Sequence, residues 1–140
     1  MRPLKTALPL LLALLVSQVH AEKPFAPESI PGSVTVNAEQ TVELIQSEER
    51  LTIVDSRRFE EYAKGHIEGA VSLLDTDMTE EALVAHAPGR HDPLLFYCNG
   101  ERCLRSANAV NNALIWGYDR IYWFRGGWQE WADKELPVSR

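Results

Sequence analysis

The stretch "FYCNGERCLRSANA", residues 96–109, gathers two cysteines, a glutamate and two arginines between an apolar run and a helical pattern. If the apolar run is a strand, Cys98 stands at its end. A helix beginning near Cys103 then aims unpaired backbone amides and the positive helix pole at the sulfur. That setting stabilises a thiolate: cysteines at helix N-termini or beside arginine have pKa values lowered to roughly 3.5–7.5 from about 8.5. Gly100 gives the loop backbone freedom, and Arg102 and Arg105 can each hold an oxyanion through charge-assisted hydrogen bonds. Asn99, Gly100, Glu101 and Cys103 complete the loop as candidate substrate-contacting positions. Glu101 disfavours both a thiolate and an anionic substrate, so it is expected to point outwards. The same spacing permits a different chemistry, a disulfide between Cys98 and Cys103 with the arginines as solvated surface charges. The residues alone leave both open. No metal is expected: C-x4-C lacks a second ligand pair, and His66, His86 and His91 stand at no metal-ligand spacing from it.

The elements that must position this loop are legible on either side of it. "PLLFYC", residues 93–98, is the strongest buried-strand signal, and "RLTIVD", residues 50–55, is a β-branched run ending in Asp55. "SVTV", "AVSLL" and "DRIYWF" are further strand candidates. "NAEQTVELIQSEE" reads as a helix with Asn37 as N-cap, Gln40 in the capping-box position, and Val42, Leu44 and Ile45 on its buried face. "FEEYAKG" suits one helical turn ended by Gly65, and "MTEEALVAHA" a short helix capped by Thr79. From Leu104 the apolar spacing is helical as far as Gly117, a C′ residue. "GGWQEWADKEL" is a glycine turn into a last helix. Strands alternating with helices predict an α/β domain with a mainly parallel sheet, in which ligands sit beyond the carboxyl ends of the strands. Asp55 and Cys98 both stand at such ends.

The chain opens with Arg2 and Lys5, an apolar stretch over residues 7–16, and Val19-His20-Ala21. This is the pattern of a secretory signal peptide cleaved after Ala21. The apolar stretch is well short of the roughly 18–20 residues that spanning needs, so no stable membrane anchor is expected. Residues 22–31, rich in proline, form an extended leader, and residues 32–138 one domain. Loss of Arg2 and Lys5 takes the formal charge from −6 to −8. That balance argues against nucleic acid and anionic membrane surfaces as partners, because both need a basic patch. An anionic substrate must find a local positive site. Export would place both cysteines in an oxidising compartment, periplasmic or extracellular.

The segment "LTIVDSRRFEEYAKGHIEGAVSL" closely resembles the first signature of rhodanese-like domains, the thiosulfate sulfurtransferase family. That signature is a strand ending D-x-R, an E-[YF] pair and G-H-I-x-G-A, matched by Asp55, Arg57, Glu61, Tyr62, Gly65, His66, Ile67, Gly69 and Ala70. "GYDRIYWFRGGWQEWADKELPV" resembles the family's closing segment, with Gly126, Gly127 and Trp131 in register. The resemblance implies a central, mainly parallel five-stranded sheet with helices on both faces. It further implies a nucleophilic Cys98 that takes sulfane sulfur from a donor such as thiosulfate and passes it to a thiol or cyanide. Backbone amides of the loop would cradle the persulfide, and Arg102 or Arg105 would bind the donor. Asp55 and Arg57 are given mainly a structural role beside the site, ordering the neighbouring loop by ion pairing. No cofactor is implied.

The loop departs from the family pattern C-x-x-G-x-R-S. With Arg105 and Ser106 aligned on the closing R-S, it is two residues longer here and Gly100 sits one position early. The phosphatases that share this architecture carry arginine after five intervening residues, where this chain has Leu104. Cys103 is expected to act as a resolving partner or regulator, and a periplasmic redox partner is a further expectation. The rival readings are a non-catalytic binding module and a thiol-disulfide redox protein, both with Cys98 and Cys103 bonded.

Overall fold

The structure, a computed structural model, describes residues 1–7, 17 and 23–140. Most of the apolar stretch 7–16 and the expected cleavage site after Ala21 lie outside the described residues. Among the described residues no helix is long and apolar enough to cross a membrane.

In chain order the elements are β1 (Ser33–Val36), α1 (Ala38–Ser47), β2 (Thr52–Asp55), α2 (Phe59–Lys64), β3 (His66–Ile67), β4 (Val71–Ser72), α3 (Glu80–His86), β5 (Leu94–Tyr97), α4 (Arg105–Ile115), β6 (Ile121–Phe124), α5 (Gly127–Asp133) and β7 (Val138–Ser139). Five strands form one sheet in the order β1-β6-β5-β2-β4, and every pairing in it is parallel. This is the expected five-stranded α/β sheet. The strand signals around the cysteine loop place β5 at its centre.

All four residues of β5 are fully buried, and their alternation divides the core. Leu94 and Phe96 face a cluster that includes Leu83 of α3 and Val110 and Ala113 of α4. Leu95 and Tyr97 face the opposite cluster, with Ile53, Phe124 and Trp131 of α5. Side chains of successive strand residues point to opposite faces, so a strand covered on both sides must be apolar throughout, as this one is. Each such side chain stabilises the fold by about 1.5–3 kcal/mol relative to exposure. The register then sets the site: Asp55 is level with Tyr97, and Tyr97 with Phe124. Residues 56, 98 and 125 therefore leave the sheet side by side.

Two expectations need correction. The buried face of α1 is Ala38 and Thr41; Val42 and Leu44 pack half-buried against the flank of the cluster that contains Val36 and Trp131, and Ile45 is exposed. The helix after the cysteine loop starts at Arg105 with Leu104 as its N-cap, as the spacing from Leu104 indicated, and Cys103 belongs to the loop. The leader is not simply extended chain before a domain. Ala26 and Ile30 are buried in the cluster beneath α3 and α4. One element went unforeseen, the antiparallel ribbon of β3 and β7.

Ile30→Ala should therefore lower stability by about 2–5 kcal/mol, the range for truncating a buried isoleucine. Urea unfolding checks this; a change under about 0.5 kcal/mol, as at an ordinary surface position, would show that the leader is not part of the core.

Candidate active site

Cys98 follows the last residue of β5 and is 1% exposed. Its sulfur is bonded to that of Cys103, with the two Cα atoms 6.2 Å apart. Of the two chemistries the spacing allowed, the disulfide is the state present. The loop turns back on itself through a hydrogen bond from the Cys103 amide to the Gly100 carbonyl at 3.0 Å. No side chain caps the N-terminus of α4, so the amides of its first turn remain open on the side of the loop.

The loop is also held from the far side of the sheet. At the start of α5 the Trp128 amide donates to the Cys98 carbonyl at 2.8 Å, and the Gln129 amide to the Asn99 carbonyl at 2.9 Å. This close approach depends on Gly127, whose φ is +56° and where a Cβ would lie 2.3 Å from the Cys98 carbonyl oxygen. Trp128 in turn lies under the Arg57 guanidinium, 4.5 Å from guanidinium carbon to ring centroid.

Arg57 belongs to a buried network beside the loop. Its Nε and Nη2 donate to Asp55 at 2.8–3.2 Å, and Nη2 also donates to the Gly65 carbonyl at 2.6 Å. The Tyr97 hydroxyl donates to Asp55 Oδ2 at 2.6 Å and accepts from the Ile67 amide at 3.1 Å. Burial pulls the Arg57 pKa down, but the hydrogen bonds and charge of Asp55 outweigh it and raise the value. Burial first, then the charge of Asp55, push the Tyr97 phenol far above its ordinary value of about 10. Asp55 and Arg57 thus hold the turn after β2 and the Trp128 ring, while their polar groups lie buried away from the cleft. His66 makes a local bond, Nδ1 to the Tyr62 carbonyl at 2.9 Å.

The leader closes the third side. The Ala26 amide donates to the Glu101 carbonyl at 2.7 Å, and Arg125 donates to the carbonyls of Pro27 and Ala26 at 2.8 and 2.9 Å. Glu101 is exposed at the edge of the cleft and pairs with Arg125 at 3.2 Å. Arg102 donates to the Lys23 carbonyl at 2.5 Å and lies over the Phe25 ring. Between leader and loop is an open cleft of about 510 Å³, lined by Lys23, Phe25, Asn99, Arg102, Cys103 and Arg105 among others. Cys98 does not line it. Arg105 is half-buried there, with Glu61 4.0 Å away. The Glu61 carboxylate is already engaged by Asn99 Nδ2 at 3.1 Å and the Arg58 amide at 3.2 Å.

The structure therefore brings Asn99, Gly100, Glu101, Arg102, Cys103 and Arg105 around one cleft, with Cys98 buried behind it and Asp55 and Arg57 behind Trp128. Sequence reasoning missed the parts played by Arg125, Trp128 and residues 23–27. The glycine pair 126–127 was visible, but only its contact with Cys98 shows why position 127 lacks a side chain.

The Rhodanese-like domain family matches residues 37–134. The chain belongs to that family. It is 25% identical over 114 residues to the uncharacterized protein YibN of Escherichia coli K12, covering 81% of this chain and 78% of that one. It is 31% identical over 131 residues to the HTH-type transcriptional regulator Rv0324 of Mycobacterium tuberculosis, covering 91% of this chain and 56% of that protein. The fold is shared with a thiosulfate sulfurtransferase from Pseudomonas aeruginosa, with a TM-score of 0.65 at 19% identity over 77% of this chain and 20% of that one.

Two outcomes follow from the geometry. Gly127→Ala should destabilise more than Gly69→Ala in thermal melts. Both residues have positive φ, worth about 1–3 kcal/mol of strain, but a Cβ at Gly69 meets nothing within 4 Å; equal losses would contradict the close approach at Cys98. Tyr97→Phe should cost about 1–3 kcal/mol at pH 7, since Asp55 and the Ile67 amide lose their partner. Because the folded state raises the Tyr97 pKa, its contribution is complete below about pH 10 and fades as pH rises further. The gap between wild type and variant should therefore narrow above pH 10 in urea titrations, and a constant gap would refute the linkage.

Proposed function

We propose that the protein is an exported sulfurtransferase that moves sulfane sulfur from a small anionic donor such as thiosulfate to a thiol or cyanide acceptor, through a persulfide on Cys98. The observation that carries this reading is the placement of Cys98, between a central parallel strand and the uncapped N-terminus of an 11-residue helix. After reduction of the disulfide, that helix end favours the Cys98 thiolate. The thiolate attacks the outer sulfur of thiosulfate, the donor S–S bond breaks, and sulfite leaves. The acceptor then attacks the outer sulfur of the persulfide and Cys98 returns as thiolate. Arg105 is the better candidate for the donor's sulfonate end, because Arg102 is engaged by the leader. Membership of the rhodanese-like family and the signal-peptide pattern support the reading, and an oxidising compartment would keep the site bonded until a thiol reductant opened it.

The disulfide itself favours a second reading, a thiol-disulfide redox protein or a binding module in which the bond is a staple. As a staple it would contribute at the low end of the range for disulfides. A loop this short gains about 2 kcal/mol from closure, and the contacts of Trp128, Gln129 and Ala26 already fix it.

With a dithiol reductant present, the wild-type protein should release sulfite from thiosulfate catalytically, and Cys98→Ser should lose at least about 100-fold. Full activity in that variant would remove Cys98 from the mechanism. Absence of sulfite release in reduced wild type would leave the redox or binding reading.

A further inference from the structure

We propose that Cys103 is a resolving thiol that expels the transferred sulfur as hydrosulfide, so that the site reduces sulfane sulfur and need not pass it to an external acceptor. The proposal rests on the reading that Cys98 carries a persulfide. Three observations lead to it. The two sulfurs reach bonding contact in a loop whose backbone is fixed by amides from α5 and the leader. Their Cα separation of 6.2 Å lies within the ordinary disulfide range, so no backbone movement is needed to join them. Cys98 is 1% exposed whereas Cys103 lines the cleft, so the nucleophile nearest to any sulfur on Cys98 is the neighbouring thiol.

The steps balance. The Cys98 thiolate takes the outer sulfur of thiosulfate, giving a Cys98 persulfide and sulfite. Cys103, as thiolate, attacks the inner sulfur, Sγ of Cys98. The bond between that atom and the outer sulfur breaks, the outer sulfur leaves with the electron pair as hydrosulfide once it takes up the proton Cys103 gave up, and the disulfide closes. Geometry selects the inner sulfur, because Sγ of Cys98 is the atom that the Cys103 sulfur reaches in this loop, and which sulfur is attacked is set by access as well as by the leaving group. A dithiol reductant then supplies two electrons. One of its thiolates attacks the sulfur it can reach, Cys103, and Cys98 leaves as thiolate; its second thiol completes the exchange and carries the disulfide away. The net reaction takes thiosulfate and a dithiol to sulfite, hydrosulfide and a disulfide. The structure is the end state of the second step. Intramolecular attack between groups held in register has an effective concentration far above that of any dissolved thiol, so resolution outruns transfer to a small external acceptor.

The test is a single turnover. Fully reduced protein, freed of reductant, receives thiosulfate with no acceptor present; sulfite, hydrosulfide and the intact mass of the alkylated chain are then measured. Wild type should release about one sulfite and about one hydrosulfide per chain and lose both alkylatable thiols. Cys103→Ser, and Cys103→Ala should the serine variant fold poorly, should release sulfite, hold about 32 Da of extra sulfur on Cys98, and yield roughly a tenth of the hydrosulfide or less. If wild type instead keeps the extra sulfur, on Cys98 or moved to Cys103, and releases no hydrosulfide, the resolving role is overturned while the persulfide reading stands. If neither wild type nor variant releases sulfite or gains mass, the persulfide reading fails and the proposal with it.

Discussion

A buried carboxylate holds this site together from behind. Asp55, at the end of β2, is fully buried and satisfied by Arg57 and by the Tyr97 hydroxyl. Taking such charges out of water costs several kcal/mol per ion, and the arrangement persists only because the remaining polar groups also find partners. Here they do, in the Gly65 carbonyl and the Ile67 amide. The network ties together the ends of β2 and β5 and the turn into β3, and it presents the guanidinium face to Trp128. Trp128 carries the amide that holds the Cys98 carbonyl. A chain of contacts thus runs from a buried ion pair to the backbone of the candidate nucleophile while Asp55 and Arg57 themselves stay out of the cleft.

The loop from Cys98 to Leu104 is consequently fixed on two flanks and open on one. Main-chain bonds from α5 and from the leader hold its carbonyls, leaving the amides of the first turn of α4 facing the loop. Carbonyls engaged elsewhere and amides left open are what a negatively charged sulfur requires. The charge pattern around the cleft agrees. Arg125 pairs with Glu101, and Glu61 is shared by Asn99, the Arg58 amide and Arg105, so each nearby carboxylate is matched by donors at the rim.

Much of the scaffold was legible because each signal was local. Residues 93–98 read as a buried strand since both faces of β5 are covered and no polar residue interrupts it; the cap at Asn37 was visible because its partner Gln40 is three residues away. What stayed hidden depends on distant partners. Ala26 and Ile30 lie in a proline-rich stretch whose burial is decided by the underside of α3 and α4. The ribbon of β3 and β7 has two residues a side, too few for a periodicity, and joins segments some 70 positions apart. The cysteine pair was ambiguous for a different reason. C-x4-C bonds only if the loop folds back, and that turn is enforced by the Gly100 carbonyl and by the neighbours that clamp the loop, none of which the spacing records.

The leader is anchored by the buried side chains of Ala26 and Ile30, and where it passes over the cleft its main chain makes the polar bonds. Carbonyls of Lys23, Ala26 and Pro27 accept from two arginines of the domain, and the Ala26 amide donates to the loop. Those bonds carry no information about which side chains the leader bears at positions 23 and 24. One wall of the cleft can therefore change its chemistry, from cationic to acidic or apolar, without loosening its attachment. In this architecture ligand preference and anchoring are separately adjustable, the first written in the side chains at positions 23 and 24 and the second in the backbone bonds and the buried side chains further along the leader.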